Sequence, residues 1–223
     1  TFKYNKLEKI ASICRQIANS TNAQLVLHLD HGASYEQVIQ CLRNGFTSVM
    51  IDGSRLPLKE NIRVTKEVTR AAHTVGVSVE AELGAIGGTE DGMTAKANLV
   101  NVDDARSFLE EVTVEALAIG IGNAHGIYKS TPNLAFDRLE QVAALGGPAL
   151  VLHGGSGIPD DMIRKAIVMG IRKINVATEV RLAFLEGFGL EVNSKDIYKA
   201  YQSAQAHARK IISDKMSLFD TTK

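Results

Sequence analysis

Three histidines share one setting in this sequence: each closes an apolar run and is followed at once by glycine. They are His31 in Leu27-His28-Leu29-Asp30-His31-Gly32, His125 in Ile121-Gly122-Asn123-Ala124-His125-Gly126, and His153 in Val151-Leu152-His153-Gly154-Gly155-Ser156-Gly157. Three neutral imidazoles with one coordination position left open form the donor set of a catalytic zinc ion. The glycines let backbone approach a ligand closely. The competing reading is that such histidines only cap a sheet and hydrogen-bond to loops. Among the others, His28 points inward by strand parity, one layer below Asp30, and is expected to make a structural hydrogen bond. His73 and His207 fall in helical stretches, as surface or packing residues.

Acidic and glycine-rich segments surround these histidines in the sequence. Asp30 adjoins His31 but points to the other side of the strand, where a carboxylate beside a Lewis acid can exchange a proton with substrate. A structural salt bridge is the alternative. Glu80 and Glu82 share one face of a strand and either orient a histidine or join an ionic network with lysine. Gly154-Gly155-Ser156-Gly157 precedes a helix near Asp160, and Asn175-Val176-Ala177-Thr178 enters one at Glu179. Both would offer backbone N–H groups and a hydroxyl to an anion at a helix N-terminus. The run Gly84–Gly92 reads as a mobile lid carrying Glu90 over the site, or as an ordinary exposed loop.

These groups need a frame that gathers strand ends. Short apolar runs at Leu25–Leu29, Ser48–Asp52, Val77–Glu82, Ala116–Ile121, Ala149–His153 and Lys173–Val176 predict strands. Apolar spacing predicts helices over Lys6–Ala18, Tyr35–Arg43, Leu58–Thr74, Val102–Val112, Phe136–Ala144, Asp160–Met169, Glu179–Phe188 and Asp196–Asp214. Six successive βα units specify an α/β protein with a parallel sheet. Polar residues recur within the strands, as in Val77-Ser78-Val79-Glu80-Ala81-Glu82, so one face of each strand is polar near its C-terminal end. That pattern suits a (β/α)8 barrel with its active site at the mouth better than an open sheet, which would bury those charges under helices.

Composition narrows the partners. The 223 residues carry 25 basic and 25 acidic side chains and no formal net charge, which argues against a nucleic-acid or anionic-membrane surface. The two cysteines, Cys14 and Cys41, lie in helical stretches and are expected to be buried free thiols. No apolar run approaches the ~20 residues of a membrane helix, and no secretory signal is present. A reducing, cytoplasmic setting is the expectation.

Five runs together carry a family resemblance: His28-Leu29-Asp30-His31-Gly32, Val79-Glu80-Ala81-Glu82-Leu83-Gly84, Asn123-Ala124-His125-Gly126, Leu152-His153-Gly154-Gly155-Ser156-Gly157 and Lys173-Ile174-Asn175-Val176-Ala177-Thr178-Glu179. In this order they resemble the class II ketose-bisphosphate aldolases, most nearly the fructose- and tagatose-1,6-bisphosphate branch. The resemblance implies zinc-dependent cleavage to dihydroxyacetone phosphate and glyceraldehyde 3-phosphate, with His31, His125 and His153 as Zn²⁺ ligands. Asp30 would exchange the proton of the C4 hydroxyl, and Glu90 would handle the proton at C3. Gly126, Gly154, Gly155, Ser156, Asn175, Val176, Ala177 and Thr178 would bind the dihydroxyacetone phosphate half. A monovalent cation, Na⁺ or K⁺, near that phosphate and a homodimer or homotetramer belong to the same implication.

A full barrel has eight βα units in roughly 250 residues, whereas six strands are legible here. The sequence is therefore read as a single barrel domain spanning 1–223 whose first two strands are absent from the chain. Arg55, Lys129 and Arg181 follow strands and are candidates for the distal phosphate. Lys173, read at the start of its strand, is placed away from the mouth, which disfavours a Schiff-base aldolase. The competing functions are a zinc hydrolase on a similar barrel, a non-catalytic or divergent subunit of an aldolase complex, and an aldolase for another phosphorylated ketose.

Overall fold

The computed structural model describes residues 6–90, 93–95 and 98–220. The chain divides into two compact units, the first comprising residues 1–84, 101–118 and 145–149, the second the remainder. The first unit holds α1 (Leu7–Asn19), β1 (His28–Gly32), α2 (Tyr35–Arg43), β2 (Ser48–Ile51), α3 (Leu58–Thr74), β3 (Ser78–Leu83), α4 (Val102–Glu111) and most of β6 (Ala116–Ile119). The second holds β4 (Gly87–Glu90), β5 (Met93–Ala95), β7 (Ala124–His125), α5 (Phe136–Ala143), nearly all of β8 (Ala149–Leu152), α6 (Asp160–Val168), β9 (Ile171–Ile174), α7 (Thr178–Glu191), a short 3₁₀ turn (Val192–Ser194) and α8 (Ile197–Phe219).

Short strands rich in Val, Ile and Leu alternate with amphipathic helices, as a parallel sheet requires. The larger sheet's strands follow the order β1-β2-β3-β6 in the first unit and β8-β9 in the second. In the first unit β1, β2 and β3 run parallel, with His28 opposite Ser48 and Ser48 opposite Ser78. In the second, β8 pairs with β9 in parallel, Leu152 opposite Ile174. Val49, Met50, Ile51, Val79 and Ala81 are buried in the first unit, as are Ile121, Leu139, Val151, Leu152 and Ile163 in the second. Each fully buried Leu or Ile contributes about 1.5–3 kcal/mol relative to exposure. Helices α2 and α4 begin where a side chain serves their first N–H groups: Ser34 accepts from Gln37 N at α2, and Asn101 accepts from Asp103 N and Asp104 N at α4.

All six expected strands and all eight expected helices are present, with shifts at two strands. β1 begins at His28, not Leu25, because pairing with β2 sets its register; Leu25 and Val26 remain exposed. β9 begins two residues early, at the buried Ile171, so Lys173 is the third of its four residues instead of the first. The expected lid is also different locally: Gly87–Glu90 is a strand, paired antiparallel to β5 and parallel to β7. Asp91 and Gly92 of that run lie outside the described residues. Cys41 is buried and its thiol is pushed up to about 11 by that burial, while Cys14 is only partly buried.

Candidate metal centre and phosphate loop

In the first unit the end of β1 is built around His31. The strand register shifts between Leu29 and Gly32, and His31 takes a left-handed φ of 46°. Such a backbone costs on the order of 1–3 kcal/mol outside glycine and is typical of functional positions. Gly32 makes the kink fit, since a Cβ there would meet the Met50 carbonyl oxygen at 2.1 Å. The His31 ring then faces carboxylates: Nδ1 lies 3.1 Å from Asp52 Oδ2 and 3.7 Å from Glu82 Oε2. Asp52 is itself fixed, its Oδ1 accepting from Ser54 N at 3.0 Å and Ser54 Oγ at 2.7 Å.

These contacts set the charges. Burial works to lower the His31 pKa, but the bond to Asp52 and the charges of Glu82, Asp30 and Asp52 outweigh it and hold it up at about 9. Burial works to raise Asp52, yet its bonds to His31 and Ser54 bring it down to about 2. With the Nδ1 proton directed at Asp52, Nε2 is the nitrogen that would give up its proton to offer a lone pair to a metal. One layer below, His28 makes the structural contacts expected of it, Nδ1 to Ser48 Oγ at 2.8 Å and Nε2 to Glu80 Oε2 at 3.6 Å. Asp30 is exposed on β1.

In the second unit His125 and His153 meet edge to face, ring centroids 5.9 Å apart at 79°, with a ligand nitrogen of each within 4.8 Å of the other's. His153 is fully buried. The Asn175 side-chain amide lies 3.2 Å from His153 Nε2, and Asn175 N donates to Leu152 O at 2.9 Å. Gly154 adopts φ 63°, and a Cβ there would strike the Ala124 carbonyl oxygen at 2.2 Å. Gly126 follows His125 with φ 92°.

The two glycine- and threonine-bearing loops converge as expected, but several of their donors are already engaged. Gly155 N donates to Asn175 O at 2.9 Å. The buried Ser156 Oγ accepts from Ala177 N and Glu179 N, both at 3.3 Å, and so caps α7 from another loop. Gly157 N donates to the Glu179 carboxylate, which pairs with Lys215 Nζ at 3.0 Å. Ser156 is thus a helix cap as well as a candidate anion ligand, and Val176 and Thr178 lie partly buried beside it. Arg55, Lys129 and Arg181 are exposed. The backbone of Glu90 pairs with Met93 at the end of β4.

Sequence reasoning missed three residues. Asp52 was visible only as a polar residue at the end of β2, and its role depends on β2 lying beside β1. Asn123 sends its side-chain N–H to His153 O at 2.9 Å and accepts from Ile121 N at 2.9 Å. The Tyr128 hydroxyl accepts from Ala124 N at 2.8 Å and donates to Gly154 O at 3.1 Å. Asparagine between an apolar run and a histidine, with tyrosine three residues after that histidine, was the available signal.

Comparison with known proteins gives one family. The family described as fructose-bisphosphate aldolase class-II matches residues 1–223. A fructose-bisphosphate aldolase of Streptococcus pyogenes is 44% identical over 201 residues, which are 89% of this chain and 64% of that protein. The chain therefore spans less than two thirds of the length of that relative. The crystal structure of the YdjI aldolase from Escherichia coli K12 superposes with a TM-score of 0.86 at 29% identity, covering 97% of this chain and 77% of that one. The fructose-bisphosphate aldolase of Campylobacter jejuni superposes with a TM-score of 0.76 at 20% identity, over 96% and 75% of the chains, a likeness of fold. The expected α/β barrel class is the fold of these relatives.

Proposed function

The chain belongs to the class-II fructose-bisphosphate aldolase family, and from that premise we propose that it cleaves a ketose 1,6-bisphosphate, fructose or tagatose, to dihydroxyacetone phosphate and glyceraldehyde 3-phosphate. The reaction is reversible and uses a zinc ion that His31, His125 and His153 would hold, one imidazole nitrogen from each. The donor chemistry fits the metal: imidazoles suit zinc, and the Asp52 bond to His31 Nδ1 is the outer support such ligands receive. When bound, the ion supplies Lewis-acid polarisation of the substrate carbonyl.

The chain's own residues do the rest. Asp30, exposed on β1 one residue before His31, takes and returns the proton of the C4 hydroxyl, and Glu90 serves the proton at C3. Gly126, Gly154, Gly155, Ser156, Asn175, Val176, Ala177 and Thr178 hold the dihydroxyacetone phosphate half, with a Na⁺ or K⁺ ion near its phosphate. The observation that carries this reading is the His125–His153 pair set beside the loop that caps α7. The setting we infer is a cytoplasmic homo-oligomer, a dimer or tetramer. Exposed Leu185 and Leu190 on α7 and Ile212 on α8 support an interface between copies, and no described helix is long and apolar enough to cross a membrane.

A coupled assay of both bisphosphates, with and without chelator and beside His125→Ala, tests the proposal. Cleavage abolished by the chelator and by the substitution is the expected result. Activity that survives either would overturn the zinc reading, and inertness toward both sugars would overturn the substrate class.

A further inference from the structure

His125 and His153 sit on two separate segments of the second unit, and something must fix the distance between those backbones. The close approach is tight: the site of a Gly154 Cβ would lie 2.2 Å from Ala124 O and 3.3 Å from Ala124 N. Two side chains bridge the segments. Asn123 donates to the carbonyl of His153 itself, and the Tyr128 hydroxyl joins Ala124 N, next to His125, to Gly154 O, next to His153.

The Tyr128 hydroxyl is both acceptor and donor here, and only a group with both capacities can connect an N–H to a C=O. Its ring also lies against the loop, 3.4 Å from the position of a Gly157 Cβ. Phenylalanine would keep that packing while leaving an N–H and a carbonyl in a half-buried position without this partner.

We infer that Tyr128 is a positioning residue for the metal centre: its hydroxyl clamps Ala124 to Gly154 and thereby holds the His125 and His153 imidazoles at the separation one ion requires. The inference rests on the zinc reading above and assigns the clamp to a residue outside the ligand set. Asn123 is the second member of the clamp. It acts on the His153 carbonyl, while Tyr128 acts one residue later.

The test uses the full chain and zinc alone. Zinc affinity is measured by competition with a chromophoric chelator for the unsubstituted protein, Tyr128→Phe, and Tyr198→Phe, a tyrosine that is 79% exposed on α8. Tyr128→Phe is expected to weaken binding by roughly 10–100-fold, the range for lost outer support of a ligand, with Tyr198→Phe unchanged. The cobalt-substituted protein is expected to show altered ligand-field bands in Tyr128→Phe, and the melting temperature of the metal-free chain to change little. A purely structural tyrosine would lower the melting temperature and leave affinity and cobalt spectrum intact, which would overturn the inference alone. Failure of the unsubstituted chain to bind zinc would overturn the zinc reading and the clamp with it. Should Tyr128→Phe melt early, Asn123→Ser is measured in the same way, and unchanged affinity and spectrum there would count equally against the clamp.

Discussion

The Nδ1 atom of His31 lies 3.1 Å from Oδ2 of Asp52, across two neighbouring parallel strands. This bond determines which ring nitrogen carries the proton and how much charge the histidine holds. Replacing Asp52 with Asn leaves the geometry nearly unchanged and removes the charge. In the metal-free chain the His31 pKa is expected to fall from about 9 toward its ordinary 6.5, read from its imidazole resonances in an NMR titration. Loss of a charge-assisted bond at a partly buried site should also cost about 1.5–3 kcal/mol of stability. A His31 titration identical in both proteins would refute the assignment.

The same pair gives the metal-free chain a pH window. His31 is raised in the folded state, so its contribution is complete below 6.5 and is lost as pH climbs through about 9. Asp52 is depressed, so its contribution is complete above its ordinary 3.8 and is lost as pH falls through about 2. Denaturant unfolding across the pH range should therefore show stability dropping between 6.5 and 9, and the alkaline part of that drop should shrink in Asp52→Asn. Equal alkaline slopes in the two proteins would contradict the pairing.

Two glycines separate backbone strain from steric exclusion. Gly146 and Gly154 both have positive φ, 72° and 63°, but a Cβ at Gly146 meets nothing within 4 Å, whereas at Gly154 it strikes Ala124 O. Gly146→Ala should cost about 1–2 kcal/mol, the penalty of a left-handed conformation. Gly154→Ala should cost clearly more and also disturb zinc binding, since the displaced carbonyl belongs to the residue before His125. Equal melting temperatures for the two variants would show that the close approach relaxes without cost.

Ser156 caps α7 from outside the helix, accepting from two of its first N–H groups. Ser156→Ala should lower stability by about 1 kcal/mol, as loss of a capping hydroxyl does. If the loop also binds phosphate, KM for the bisphosphate should rise several-fold with kcat less affected. Chemical denaturation and steady-state kinetics on one preparation read both effects. Unchanged stability would remove the capping role.

What was legible in the sequence follows from the range of the forces involved. The helices Tyr35–Arg43 and Leu58–Thr74 were read to the residue because amphipathic spacing and flanking turn residues are local. The start of β1 was misread because Leu25 and Val26 look like strand residues, while pairing with β2 decides where the ladder begins. The His-Gly pairs could be picked out by type and spacing. Their supports could not: Asp52 stands 21 residues from His31, and Tyr128 26 residues from Gly154. Such partnerships exist only once strands are neighbours. The run Gly84–Gly92 was read as a mobile lid or an exposed loop because four of its nine residues are glycine, yet Gly88 is needed for contact, with its Cβ site 2.1 Å from His125 O.

That contact ties two roles together. β4 runs beside β7 with Gly87 opposite Ala124 and Gly88 opposite His125, and Gly87 N donates to Asn123 O at 3.3 Å. The strand that ends at Glu90 is therefore yoked to the backbone of His125, the proposed metal ligand. A swing of β4 as a free flap would have to rupture that seam, so any stroke of the arm registers as a tug on His125. With Glu90 and His125 in the roles proposed above, arm and ligand would form one lever, and a substrate drawing the arm inward would tune the metal by the same movement.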